Sequence, residues 1–261
     1  MNAVELYKKL PRKNCGKCRS KTCMPFAFSL MSGAAELSEC PELTGTEIAE
    51  LEKSVQKSNW REELVIKLQK EIMTIDFSQI AQGIGAVIQE GSLVIKYMGS
   101  DYSISPDGHI SAQGRITPWT KILLLHYLRT RGNALLTGKW VSYRDLRSGM
   151  VKAASFLREC EDPLRALLDK GVDVIAGILR LLGAEAVGDS AAPHAWQMSL
   201  LPKVPVMILY WPQEDEFESK VSILFDSTAD QFLDIESLMF LGEGLIESIE
   251  TNEHAEGQRD D

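Results

Sequence analysis

The chain contains no apolar run approaching the roughly 18 residues that a membrane-spanning helix needs, and it has no low-complexity tract and no internal repeat. Its first ten residues carry Glu5, Lys8 and Lys9 and have no apolar core, so they do not read as a secretory leader. A glycine-rich phosphate fingerprint is missing too. Gly83-Ile84-Gly85 lacks the following spaced glycine and precedes a strand pattern rather than a helix. There is no His-Glu-x-x-His pair and no serine nucleophile elbow. These absences argue against a membrane protein and remove the common nucleotide-binding and hydrolytic motifs. The expected location is the cytoplasm, where thiols stay reduced and clustered cysteines point to metal or redox chemistry. What remains is a globular composition, 44% hydrophobic and 25% charged, in 261 residues. That length suffices for a small module plus a domain of ordinary size.

Cysteine is scarce but concentrated. Four of the five cysteines, Cys15, Cys18, Cys23 and Cys40, follow the spacing C-x2-C-x4-C-x16-C. Two cysteines three apart can grip one corner of a metal group from a tight loop. Gly16 between them lets backbone N–H groups turn toward the sulfurs, and Cys23 lies close enough to supply a third corner. Cys40 must return across a helix. Met24 to Leu37 supplies one, with Phe26, Phe28, Leu30 and Met31 as a cover and Gly33 and Pro41 marking the return. An iron–sulfur cluster is the expected occupant. A structural zinc site, which normally shows two short knuckles, and a pair of disulfides are the alternatives. The lone Cys160, at the end of a helical pattern, reads as a small buried hydrophobe.

Charge is distributed unevenly. Through Lys21 the chain carries Lys8, Lys9, Arg12, Lys13, Lys17, Arg19 and Lys21 against Glu5, or +6, which leaves −15 for the rest of a chain whose net charge is −9. A basic arm can signal nucleic acid. Here the cations interleave with the cysteines, where they offset the negative charge of a thiolate-ligated cluster, and so acidic a remainder argues against nucleic-acid binding.

The stretch Tyr7–Leu43, "YKKLPRKNCGKCRSKTCMPFAFSLMSGAAELSECPEL", resembles the small four-cysteine Fe–S domain of the corrinoid iron–sulfur protein large subunit. The likeness lies in the Leu-Pro-x-x-Asn-Cys-Gly-x-Cys opening, the Thr-Cys-x-x-Phe-Ala segment and the closing Cys-Pro. It implies that Cys15, Cys18, Cys23 and Cys40 ligate a low-potential 4Fe-4S cluster that hands single electrons to a cofactor or partner. A ferredoxin-like donor and a corrinoid, or a corrinoid protein, are the partners it suggests. It carries over to nothing further along the chain.

Beyond the module, Thr44 to Lys70 reads as one or two linker helices, with Ile48, Leu51, Val55, Leu64, Ile66 and Leu68 as apolar positions. Short strands are expected at Ala86–Ile88, Leu93–Tyr97, Tyr102–Ser105 and His109–Ala112, the last two joined by Pro106-Asp107-Gly108. Thr117-Pro118 opens a helix apolar on all faces, hence buried. Asp162-Pro163 starts a helix that Gly171 stops, and another runs from Val172 to Gly183. Val204–Trp211 and Phe217–Phe225 should pair as a hairpin before a final helix over Asp234–Glu250. The fold class read from this order is α+β: a small helical Fe–S module, residues 1–45, then a helical linker, 46–75, and a mixed α+β body with antiparallel strands, 76–250. An acidic disordered tail, 251–261, completes it.

The body also resembles an uncharacterised family, catalogued only as a domain of unknown function, over about Asp76–Leu241, on segments such as "GSDYSISPDG", "GKWVSYRDL" and "LLGAEAVGDSAAP". The family often sits behind this Fe–S module in anaerobic bacteria and archaea, and it implies no catalytic residue. Second-site candidates are the polar residues set among apolar ones: His126, Asp101, Asp189 and Asp226, with Asp215 and Glu216 on a turn. His126 could ligate a metal or the cobalt of a corrinoid, or serve as a hydrogen-bonded core histidine. Trp140, Tyr210 and Trp211 could line a flat pocket, though core packing explains them more simply. No catalytic constellation is visible. The expected function is one-electron transfer to a protein partner or cofactor, not an enzyme activity. A redox- or oxygen-sensing regulatory protein, or an enzyme with its pocket in the body, are the other classes.

Overall fold

A computed structural model describes residues 3–18, 20–32, 35–54, 60–114 and 116–257. Arg19, Gly33, Val55 and the end of the tail from residue 258 lie outside these. The chain divides into two compact units, Met1–Leu64 and Val65–Asp261.

The first unit holds α1 (Ala3–Lys9), α2 (Cys23–Ser32) and α3 (Gly45–Ser54), and the division between units falls inside α4 (Trp60–Ile72). Its core is a single apolar cluster in which Leu6, Phe26, Ala27 and Leu30 pack with Leu37, Leu43 and Leu51. Helix α2 ends at Ser32, short of the expected Leu37. The chain instead forms a separate 3-10 turn over Leu37–Glu39, closed by a capping box between Glu36 and Glu39. Phe28, read as a cover, is 58% exposed on the outer face of α2.

The second unit is α+β, as its order of elements indicates. Helix α5 (Phe77–Ile84) begins where Asp76 accepts a hydrogen bond from the Ser78 N–H and ends at Gly85, whose φ of 70° a side chain would strain. Strands β1 (Val87–Gln89), β2 (Ser92–Tyr97), β3 (Ser100–Ile104) and β4 (Ile110–Ala112) form an antiparallel meander in sequence order. Asp107, in the turn before β4, accepts from the His109 N–H at 3.0 Å. Helix α6 (Pro118–Thr130) is capped by Thr117 and buries Ile122, Leu123, Leu124, Leu125, Tyr127 and Leu128.

A five-stranded antiparallel sheet follows, in the order β5-β9-β8-β7-β6, made of β5 (Trp140–Ser142), β6 (Glu185–Ala186), β7 (His194–Leu201), β8 (Val204–Trp211) and β9 (Lys220–Asp226). Between β5 and β6 run α7 (Gly149–Phe156), a π turn at Leu157–Glu161, α8 (Asp162–Lys170) and α9 (Val172–Leu181). The β8–β9 hairpin forms as the sequence indicates, but β9 starts at Lys220 and Phe217 is 78% exposed in the turn. Strand β7, absent from the sequence reading, is the partner that buries the other edge of β8. The last helix, α10 (Ile235–Gly257), continues past Glu250, so residues 251–257 are helical where a disordered tail was expected. Leu238, Leu241, Leu245 and Ile249, spaced by three and four residues, give this helix a fully buried stripe. Among the described residues no helix is long and apolar enough to cross a membrane.

Candidate metal centre

The loop from Pro11 to Thr22 brings the cysteines together because its backbone bends repeatedly. Arg12, Asn14 and Gly16 all adopt positive φ, at 55°, 47° and 69°. Asn14 then clamps the turn to the next helix: its Oδ1 accepts from the Cys23 N–H at 2.9 Å, which satisfies a free donor at the N-terminus of α2. The opposite side is set by the 3-10 turn, where the Cys40 N–H donates to the Leu37 carbonyl and the Leu43 N–H to that of Cys40.

Cys15, Cys18, Cys23 and Cys40 line one cleft with Lys13 and Glu42. Cys15 is exposed and Cys18 half-buried, while Cys23 and Cys40 belong to the apolar core. Burial, then a hydrogen bond with Cys40 and the charges of Cys40, Cys15 and Cys23, push the Cys18 thiol up to about 11. Cys18 is thus within electrostatic reach of the other three. At the rim, the ammonium groups of Lys13 and Lys17 both pair with Glu42, the second at 3.1 Å. Hydrogen bonds from these two lysines hold the Glu42 carboxyl below its ordinary pKa. Two of the cations expected to offset cluster charge therefore sit at the cleft, anchored by one glutamate that sequence reasoning did not single out.

A donor set of four soft thiols, with cations beside it, fits an iron–sulfur cluster. The cleft itself is tight, about 10 Å³. Among the described residues no group of three or more His, Cys, Asp and Glu side chains is gathered to hold a single metal ion.

The second-site candidates have local partners or lie in solvent. Asp101 is exposed and pairs with its cross-strand neighbour Lys96 at 3.1 Å. His126 is half-buried on α6, with the Arg129 guanidinium 3.2 Å away and Asp234 at 3.7 Å. Burial, helped by Arg129, holds its pKa below the ordinary value. Asp189, Asp215 and Glu216 are exposed in the β6–β7 and β8–β9 connections. Asp226 is 1% exposed and accepts hydrogen bonds from the backbone N–H groups of Thr137, Gly138 and Thr228 and from the hydroxyls of Thr137 and Thr228. It is a structural hub. Trp140 pairs with Asp226 at one end of β9, whereas Trp211 pairs with Lys220 at the other, so they cannot share a pocket with Tyr210. The Trp211 indole N–H donates to the Ala191 carbonyl and the Tyr210 hydroxyl to Asp169. Cys160 is fully buried, and its thiol points at the Met239 carbonyl, 3.7 Å away.

Comparison with known proteins separates the same two parts. A family model described as "Putative Fe-S cluster" matches residues 10–42. The corrinoid/iron-sulfur protein large subunit of Moorella thermoacetica is 51% identical over 41 residues, 16% of this chain and 9% of that protein. The acetyl-CoA decarbonylase/synthase complex subunit gamma of Methanothermobacter thermautotrophicus is 42% identical over 52 residues, 20% of this chain and 11% of that subunit. That of Methanosarcina acetivorans is 48% identical over 40 residues, covering 15% and 8%. The chain therefore spans only about a tenth of the length of these curated relatives. No solved structure matches. A second model covers residues 76–248, well over half of the 261, and by that match this iron–sulfur protein belongs to the family described as Domain of unknown function (DUF3786).

Proposed function

We propose that Cys15, Cys18, Cys23 and Cys40 hold a 4Fe-4S cluster and that the protein is a one-electron carrier for a protein partner. The observation that carries this reading is the convergence of the four thiols, 25 residues apart in sequence at their extremes, on one cleft flanked by two lysines. When bound, a cluster supplies reversible one-electron chemistry at a potential set by its ligands, charge and exposure. The chain's own residues do the rest. Cys23 and Cys40 fix one side from the packed core, and Phe26 and Leu30 keep water from that side. Exposed Cys15 leaves the other side open, within electron-transfer reach of a docked partner. Lys13 and Lys17 lower the cost of added negative charge.

The cleft has room for about one water molecule, so a cluster enters only if the lining yields. The exposed, irregular loop that carries Cys15 is the part able to do so. A single zinc ion requires four sulfurs about 3.8 Å apart, from a Zn–S bond of about 2.3 Å. The 16 residues between Cys23 and Cys40, in place of a second short knuckle, favour the cluster over zinc. The relatives are named as a corrinoid/iron-sulfur protein subunit and as a subunit of a multi-subunit complex, which supports a corrinoid protein as the acceptor; a ferredoxin-like donor and an anaerobic host complete the proposal.

Anaerobic purification with iron and sulfide analysis, followed by EPR before and after dithionite, tests the assignment. Iron and sulfide in equal amounts, about four of each per chain, with a signal appearing on reduction, is the expected result. Zinc without sulfide would refute it. Loss of the cluster on one redox cycle would instead favour a redox or oxygen sensor.

A further inference from the structure

Between Glu5 and Glu36 the chain carries seven cations and no acid. Among the described residues Lys8, Lys9, Arg12, Lys13, Lys17 and Lys21 are all exposed. The last turn of α1 supplies the first two and the cysteine loop the other four. The fold sets the loop cations around the thiols. Lys13 lines the cleft, Arg12 stands between Lys13 and the lining residue Pro11, and Lys17 joins Lys13 on Glu42. The Lys21 carbonyl lies 3.6 Å from the point where a Cβ on Gly16 would stand, so the loop closes with Lys21 beside the first two cysteines. Cys15, the exposed thiol, is within electrostatic reach of both Lys13 and Lys17.

Glu42 is the one carboxylate in the cleft lining, and two lysines already share it. Lys8 and Lys9 lie outside that lining, so offsetting the charge of a cluster does not account for them. A gathering of like charges repels itself, and an acidic surface laid over it relieves that repulsion. Charge of this kind also steers a partner of opposite sign and sets its orientation before contact. The rest of the chain, at −15, repels the same partner. Encounters are thereby biased toward the module and its exposed edge at Cys15.

We propose that this basic rim is the docking surface for an acidic electron-carrier protein, one whose own redox centre is bordered by aspartate and glutamate side chains. The ammonium groups of the rim meet those carboxylates, and the exposed Cys15 edge then faces the partner's centre. Such docking rests on the electron-transfer reading above and gives the chemistry of the partner at that same centre.

Isothermal titration calorimetry of the anaerobic, full-length holoprotein with an acidic 2[4Fe-4S] ferredoxin as probe tests it. The ferredoxin is expected to bind, and its affinity to fall at least about tenfold between about 20 and 200 mM salt as screening shortens the reach of the charges. The triple variant Lys8→Gln/Lys9→Gln/Lys21→Gln should lose about tenfold or more in affinity at low salt and show a flatter salt dependence. Lys96→Gln/Lys139→Gln/Lys170→Gln removes the same charge from exposed positions of the body and should lose nothing. Iron and sulfide measured on the same samples keep the two questions apart. Zinc without sulfide would sink the electron-transfer reading and the docking that rests on it. A full cluster with no ferredoxin affinity, with affinity indifferent to salt, or with equal losses in the two triple variants would overturn the docking surface alone. A single-stranded DNA of about 20 nucleotides binding as tightly as the ferredoxin would overturn it too, by making the rim a site for any polyanion.

Discussion

Replacing Asp226 by alanine removes the acceptor that joins the 137–138 turn to the end of β9. Its Oδ2 accepts from the Thr137 N–H at 3.0 Å and the Gly138 N–H at 2.7 Å, and its Oδ1 from the Thr228 N–H at 3.0 Å and the Thr228 hydroxyl at 2.7 Å. Hydrogen bonds to a charged group contribute about 1.5–3 kcal/mol each, but these share one carboxylate and their donors regain some water, so the sum is not additive. Alanine is expected to cost about 3–5 kcal/mol, the range for removing one partner of a buried charged network. At about 2–4 °C per kcal/mol for a unit of this size, Tm should fall by about 6–20 °C. The substitution Asp226→Asn should give a Tm between those of the parent and the alanine variant, since the amide NH2 faces donors wherever it points.

The pH dependence gives a second reading of the same contacts. Burial alone would raise the Asp226 carboxyl, yet the Thr228, Gly138 and Thr137 donors hold it below the ordinary carboxylate value. A depressed folded pKa means the stabilisation is complete above the unfolded value of about 3.9 and is lost as pH falls through the folded one. The Tm gap between the parent and Asp226→Ala should therefore be full at neutral pH and shrink below about pH 4. Thermal melts across that range check it. A gap under about 1 kcal/mol at neutral pH would refute the hub role.

Cysteine substitutions should separate the centre from the core: Cys15→Ser or Cys40→Ser lowers iron and sulfide content, whereas Cys160→Ser leaves both unchanged and lowers Tm through a buried hydroxyl costing about 1–3 kcal/mol. Gly149→Ala would drive a Cβ into the Tyr143 carbonyl oxygen, a backbone atom that cannot step aside, so a loss of about 3 kcal/mol in urea unfolding is expected. Tyr127→Phe deletes a hydroxyl that donates to the Ile84 carbonyl at 2.6 Å and accepts from the Lys203 N–H at 3.1 Å, and should cost about 1–3 kcal/mol in the same assay. The pKa of His126 is lowered by burial and Arg129, so the unfolded chain takes up that proton first as pH falls. Tm should drop between about pH 7 and pH 5, and His126→Gln should flatten that part of the profile.

The local chemistry was legible in the chain itself. The cysteine spacing, the Pro-Asp-Gly turn, the Thr117-Pro118 start of α6 and the β8–β9 hairpin depend on neighbours within a few residues, where periodicity and turn preference act. So does the α+β class, which follows from the order of strands and helices. Long-range pairing is another matter. Strand β7 alternates buried and exposed residues only through its centre, and β5 has just three residues, so neither announces itself until β8 and β9 supply partners. Asp226 looked like a candidate ligand because its donors Thr137 and Gly138 lie 89 and 88 residues away. A cleft in the body was equally hidden. Tyr97, Trp119 and Glu243 belong to three elements, and only packing α10 beside α6 and the first sheet puts their side chains around one space. Sequence alone determined which residues could do chemistry in the module, because four thiols and their lysines fall within one short segment. Tertiary structure decided which residues of the body meet, because burial and hydrogen bonding there join positions that no local pattern connects.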